Sequence, residues 1–236
     1  MSRRGALSPV VRETLHDRVY TELRRSLIHG MFEAGQPLRI LDLAETLQTS
    51  SMPVREALGR LVSEQALEAL PNRTVRVPLI DRERLDDLDR ARCLIEGKMT
   101  ALALANFGGE DFRKLRELTA ACDAAFRSDD PDKAHITSEL NHDFHFYIYR
   151  AAGSAVLIPI VESLWLQSGP YVRAAAEIHD ERRDIPATHY HWALIEALEA
   201  RDEAAAVEAV TEDIRRSFNL IRQRLDASEE ERREAS

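Results

Sequence analysis

Apolar residues recur every three or four positions through most of this chain, the spacing of helices with one buried face. From Val10 to His29 the stripe is Leu15, Val19, Leu23, Leu27 and Ile28, and Gly30 ends it. Residues 1–9 offer no packed face and are expected to be disordered. After a turn at Phe32-Glu33-Ala34-Gly35-Gln36-Pro37, the residues Leu38, Leu43, Ala44 and Leu47 predict a second, short helix. Gln48-Thr49-Ser50-Ser51 interrupts it, and Val54, Leu58, Leu61 and Val62 predict a third. Pro53 suits the first turn of that helix, where its missing N–H needs no partner, and Ser50 or Ser51 can cap it. Ala66–Leu70 and Val75–Val77 then read as two short strands around Pro71-Asn72-Arg73-Thr74. Two helices across a tight turn, followed by a hairpin, predict a winged helix-turn-helix over residues 10–78, a shape whose second helix fits the major groove of DNA.

Beyond Pro78 the alternation expected of strands does not appear. Helical segments are predicted at about 81–106, 110–127, 132–152, 155–178, 187–200 and 202–227, separated by Gly, Pro, Ser and Asp clusters. The fold class expected is mostly α, a winged helix-turn-helix followed by an all-α antiparallel bundle over residues 79–228. Residues 229–236 read as a charged tail that frays.

Charge divides along the same line. The net charge is −9, but residues 1–80 hold 11 arginines, no lysine and 9 acids, a balance of +2, against 21 basic and 32 acidic residues in the remainder. The acidity belongs to the bundle, which leaves the first module free to meet a polyanion. No apolar run approaches the roughly 20 residues of a membrane span, and the first residues lack a secretory signal, so a cytoplasmic protein is expected. Cys93 and Cys122 have no metal-site spacing and read as free thiols.

Polar residues on apolar helix faces are the candidates for chemistry, because a buried charge needs a partner. Arg92 falls within the stripe Leu85, Leu88, Ile95, Met99 and Leu102. It can pair with Glu96, one turn on, or clamp a carboxylate ligand bidentately. Asn141 and His145 share one side of their helix, His191 lines up with Leu194, Ile195 and Leu198 while His189 points away, and Asp213 borders the stripe of the last helix. Converging from three helices, these four would make a bundle metal site suited to zinc first, or to nickel, iron or manganese. The alternative for each is a hydrogen-bonded core residue. His135, His142 and His179 read as surface or loop residues, and Trp165, Trp192 and Tyr147 as core aromatics. There is no phosphate-cradling glycine loop and no nucleophile turn.

Several stretches carry a family resemblance: LDLAETL, then SSMPVREALGRL and EALPNRTVRV, and in the bundle RCLIE, NHDFHFYIYRAAGS and HWALIEAL. Together they resemble the GntR family of bacterial transcriptional regulators, in the FadR subfamily that carries an FCD effector domain. The resemblance implies a homodimer on a pseudo-palindromic double-stranded operator, read as repression. It also implies a small carboxylate effector bound at Arg92 and a divalent metal held by Asn141, His145, His191 and Asp213. DNA contacts would come from Arg39, Ser51, Met52, Arg55 and Arg60, and from Arg73, Thr74 and Arg76 of the wing. The chain departs from the family at both sites. Leu41 and Ser51 stand where arginine is usual, and Thr74 replaces the wing-tip glycine. At the metal site Asn141 takes the place of an aspartate and Asp213 that of a histidine. Two other classes remain: a metal-dependent enzyme acting on a small organic acid, against which stands the lack of a second inward acid or base, and a DNA-binding dimer whose bundle serves only assembly.

Overall fold

The computed structural model describes residues 14–71, 74–180 and 185–234, so the tail at 1–9 and the wing-tip Arg73 lie outside the described residues. The first helix, α1, spans Leu15–Ile28 and opens with its apolar stripe at Leu15, where Thr14 and Asp17 close a capping box. Thr14 Oγ1 accepts from Asp17 N at 3.2 Å, and Thr14 N donates to the Asp17 carboxylate at 3.1 Å.

Pro37–Leu38 is a strand, β1, where a helix start was predicted; α2 runs only over Ile40–Thr46. Leu38 is buried and pairs with Val75 of β3 (Val75–Arg76), and β3 pairs in turn with β2 (Glu68–Ala69). The wing is therefore a three-stranded sheet in the order β1-β3-β2 rather than a two-stranded hairpin. Gln48, with φ of 50°, ends α2 in the left-handed region, and α3 follows at Ser51–Ser63. Ser50 occupies the cap position of α3 but makes no side-chain capping bond, a correction to the capping role expected of it or Ser51. Val54, Ala57, Leu58 and Leu61 pack α3 against α1 and the wing.

The bundle comprises α4 (Arg82–Ala103, continued by a 3-10 turn at Leu104–Asn106), α5 (Gly109–Phe126), α6 (Lys133–Ala151), α7 (Leu157–Ile178), α8 (His189–Glu199) and α9 (Glu203–Glu234). Helix α9 continues through residues read as a fraying tail, since no glycine or proline interrupts it. The buried face of α4 also differs from the predicted stripe: Leu102 is exposed, and Glu96, Gly97, Thr100 and Ala103 turn inward. Gly97 makes this possible, because a Cβ there would stand 3.3 Å from Val207 of α9.

The two cores meet on α7. Trp165 lies in the bundle core while its neighbour Leu166 packs among Leu23, Leu27 and Leu61 of the N-terminal core. The end of α1 rests directly on α7, where a Cβ at Gly169 would sit 1.9 Å from the Leu27 carbonyl oxygen. Arg173 secures the seat by donating to the Gly30 carbonyl at 2.8 Å. No helix among the described residues is long and apolar enough to cross a membrane.

Candidate functional site

Four donors converge at the centre of the bundle. Helix α6 supplies Asn141 and His145, four residues apart on one face, α8 supplies His191 from its first turn, and α9 supplies Asp213. His145 Nε2 lies 3.1 Å from Asp213 Oδ2, and His191 Nε2 lies 3.1 Å from Asn141 Oδ1 and 3.8 Å from Asp213 Oδ2. His145, His191 and Asp213 offer ligand atoms that all fall within 4.8 Å of one another. Donors at about 2.0–2.2 Å from a metal ion stand roughly 3–4 Å from each other, so the spacing fits a single cation.

Hydrogen bonding around His145 points the same way. The Tyr149 hydroxyl donates its one hydrogen to Glu96 Oε2 at 2.6 Å, so its 3.2 Å contact with His145 Nδ1 has the ring N–H as donor. The Nε2 atom then faces the Asp213 carboxylate with a lone pair, unless the ring carries a second proton. Two acceptors at that distance need a positive charge between them, either that proton or a metal ion. Asp213 Oδ1 and His191 Nδ1 are buried and make no hydrogen bond. Burial holds the His191 imidazole down, to a pKa of about 3, so it stays neutral, the form a metal requires. Burial pushes the Asp213 carboxyl up, but the two imidazoles and the Arg216 guanidinium outweigh it and keep the group ionised.

Arg92 takes the intrahelical alternative. Its guanidinium donates to both Glu96 oxygens, at 2.6 and 3.2 Å, with Arg92 3% and Glu96 0% exposed. Its planar face also lies over the Trp165 ring, and Trp165 Nε1 donates to Glu96 at 3.0 Å. The arginine is neutralised where it stands and reaches the donor cluster only at second hand, through Glu96, Tyr149 and His145. Of the two partners expected for Arg92, Glu96 is the one the structure shows.

The residue that the sequence reading passed over is Arg216. A cavity of about 30 Å³, enough for a water molecule, opens beside the donors and is lined by Ser138, Asn141, His191 and Arg216 among others. Arg216 donates to the Ala187 carbonyl at 2.8 Å, but its Nε and the hydroxyl of Ser138 are buried with no hydrogen-bond partner. A cation and a hydroxyl with unspent donors thus border the donor cluster. Arg216 lies three residues after Asp213, one turn along the same helix face, and that spacing was the signal available. His179, read as a loop residue, lines this cavity as well. His142 is no surface residue either: it stacks on Phe146 with ring centroids 4.2 Å apart and meets His29 of α1 edge to face at 4.7 Å.

The DNA-facing candidates separate into two groups. Arg39 and Arg55 are exposed, make no ion pair among the described residues, and line one surface hollow with Leu41, Ser51 and Thr74. Met52 stands exposed beside it on the first turn of α3. Arg76 is engaged across the sheet with Glu68 at 2.9 Å. Arg60 lies 3.6 Å above the Tyr20 ring, bonds Glu64 at 3.1 Å and faces the cleft between the two domains instead of the hollow.

Comparison with known proteins accounts for both regions. Residues 15–77 match the family described as bacterial regulatory proteins, gntR family, and residues 87–216 match the FCD domain. The chain is 31% identical to the HTH-type transcriptional regulator McbR of Escherichia coli K12 over 209 residues, which is 87% of this chain and 92% of that protein. It is 26% identical to the HTH-type transcriptional repressor GlaR of the same organism, covering 86% of this chain and 94% of that one. The solved structure of E. coli McbR/YncC superposes with a TM-score of 0.80 at 28% identity, over 90% of this chain and 99% of the other. A helix-turn-helix domain joined to an FCD domain is the machinery of DNA-binding transcriptional regulation, not of catalysis; the chain belongs to the gntR family of bacterial regulatory proteins.

Proposed function

We propose that this regulator is a FadR-type repressor in the cytoplasm, a homodimer on a pseudo-palindromic operator, released by a small carboxylate metabolite that binds beside a divalent metal ion. The observation that carries the reading is the meeting of the His145, His191, Asp213 and Asn141 donors with the unspent donors of Arg216 and Ser138. Two imidazoles, a carboxylate and an amide oxygen suit zinc first, then nickel, iron or manganese. Bound there, the ion supplies Lewis-acid sites for a carboxylate oxygen. The rest belongs to the chain: Arg216 offers the charge-assisted hydrogen bond to the same ligand, and Ser138 a neutral one. Tyr149 and Glu96 hold the His145 ring in its donor tautomer. The domains reached by residues 10–78 and 79–228 communicate through the seat of α1 on α7, which a ligand on α6 and α9 would bias. A coupling of 1–3 kcal/mol, typical of linked sites, would suffice to change operator occupancy.

Elemental analysis of the purified chain, with a thermal-shift screen of sugar acids, dicarboxylates and amino acids before and after chelation, tests this reading. It expects near-stoichiometric metal and a stabilising carboxylate whose effect disappears with the metal and in Arg216→Gln. A metal-free protein whose melting temperature no acid moves overturns it, and leaves the bundle as an assembly domain.

A further inference from the structure

Leu41 and Met52 are large apolar side chains left in solvent, 73% and 58% exposed, on the first turns of the two helices of the helix-turn-helix. A single exposed leucine or methionine needs no explanation. These two differ in their surroundings. Leu41 is on the first turn of α2, which otherwise turns Ala44 into the core, and Met52 is on the first turn of α3 beside buried Pro53 and Val54. Leu41 lines a hollow of about 610 Å³ with Ser51 and Thr74, bordered by Asp42 and by the exposed cations Arg39 and Arg55, which make no ion pair among the described residues. Cations at the border attract the sugar-phosphate backbone, whereas the Asp42 carboxylate repels it. The chemistry left for the floor between them is that of base edges.

The major groove presents one apolar group among its donors and acceptors, the C5-methyl of thymine. We propose that Leu41 and Met52 read thymine in the operator half-site by apolar contact with that methyl group. The proposal rests on the reading of this domain as the operator-binding one and adds the residues and base that set its specificity. Leucine offers a branched, rigid contact, and methionine an adaptable one that tolerates either strand. Leucine has no hydrogen-bonding atom and methionine only a weakly accepting sulfur, so neither replaces a lost base contact with a strong hydrogen bond. Discrimination therefore depends on the methyl alone, and removal of that one group should be felt.

The test uses the full chain on a duplex selected from a random library by that same protein. Each thymine of the selected half-site is replaced in turn by deoxyuridine, which deletes the methyl and nothing else. Burial of one methyl-sized group predicts about a fourfold loss of affinity at the contacted position. In Leu41→Ala or Met52→Ala the corresponding loss should vanish, because the partner is gone, while sensitivity at other positions is unchanged. Both residues are exposed, so neither substitution endangers folding; an unchanged melting temperature checks this. The proposal is overturned if no thymine responds to deoxyuridine, or if the response persists undiminished in both variants. Failure of the unaltered chain to select any sequence would instead sink the operator-binding reading itself, so the two failures are distinguishable.

Discussion

The hydroxyl of Tyr149 bridges Glu96 and His145, donating to the first at 2.6 Å and standing 3.2 Å from Nδ1 of the second. It ties the buried Arg92–Glu96 pair of α4 to the His145 imidazole of α6, a candidate metal ligand. Removing it frees the ring to rotate and to exchange tautomers without emptying the core. Tyr149→Phe should retain the fold and lower zinc affinity by about 10-fold to 100-fold, the usual effect of losing an outer-shell partner. Competition with a chromogenic chelator measures it; unchanged affinity would show that the ring is fixed by packing alone.

Glu96 is more than half of an ion pair. It accepts from Arg92, Tyr149 and Trp165, all buried. Glu96→Leu would leave the Arg92 charge uncompensated, at a cost of roughly 3–5 kcal/mol. The double variant Arg92→Met with Glu96→Leu should recover a large part of that loss in urea denaturation. If the single and double variants are equally unstable, packing around the pair matters more than its charge.

Arg55 has neither a carboxylate nor a ring to hold it among the described residues, and it lies on the exposed face of α3. Arg55→Ala should abolish operator binding while metal content and melting temperature stay as they were. Arg60→Ala should act differently, because Arg60 is engaged with Tyr20 and Glu64 away from the hollow. Its expected signature is a modest loss of stability with sequence preference retained. Gel-shift titration of both variants separates the roles.

Gly169 admits no side chain, since a Cβ would overlap the Leu27 carbonyl at 1.9 Å. Gly169→Ala should push α1 off α7, lowering the melting temperature and blunting any ligand effect on DNA binding even where ligand still binds. Calorimetric titration of ligand beside a DNA-release assay detects that split.

Burial lowers the pKa of His29 from its ordinary 6.5, with Glu139 and Asp143 opposing and Arg25 and His135 reinforcing the shift. The unfolded chain therefore binds a proton that the folded chain resists. Stability contributed by neutral His29 is full above about pH 6.5 and is lost as pH falls towards the lower folded value. The ring faces His142 as well, so acid loosens the contact between α1 and α6. The drop in melting temperature from pH 7.5 to 5.5 should be smaller in His29→Gln than in the unaltered chain.

Much of this architecture was legible because it rests on periodicity. The stripes of α1 and α3, the punctuation between bundle helices and the inward direction of His145 and His191 all follow from 3.6 residues per turn. The approach of Asn141 to His191 and of Asp213 to His145 follows the same way, although residues of both types usually lie at the surface. What periodicity cannot express is pairing across the chain. The contact of Leu38 with Val75 turned a predicted helix start into a third strand. The rotation of α4 that exposes Leu102 depends on Val207, more than one hundred residues away, fitting against Gly97. Arg92 was visible as a buried cation with two possible partners, and only the side-chain geometry distinguishes them. Arg216 was missed because a half-buried arginine near a helix edge resembles any solvated one until the cavity beside it is seen.

Trp165 and Leu166 are consecutive residues committed to different cores. The FCD bundle thus lends the DNA-binding module one of its own interior side chains. Grafting residues 14–77 onto an unrelated bundle would leave a vacancy where Leu166 had been. A chimaera of this regulator should keep α7 with the reader, and natural exchange of such readers between bundles would be confined to partners that bring a matching leucine.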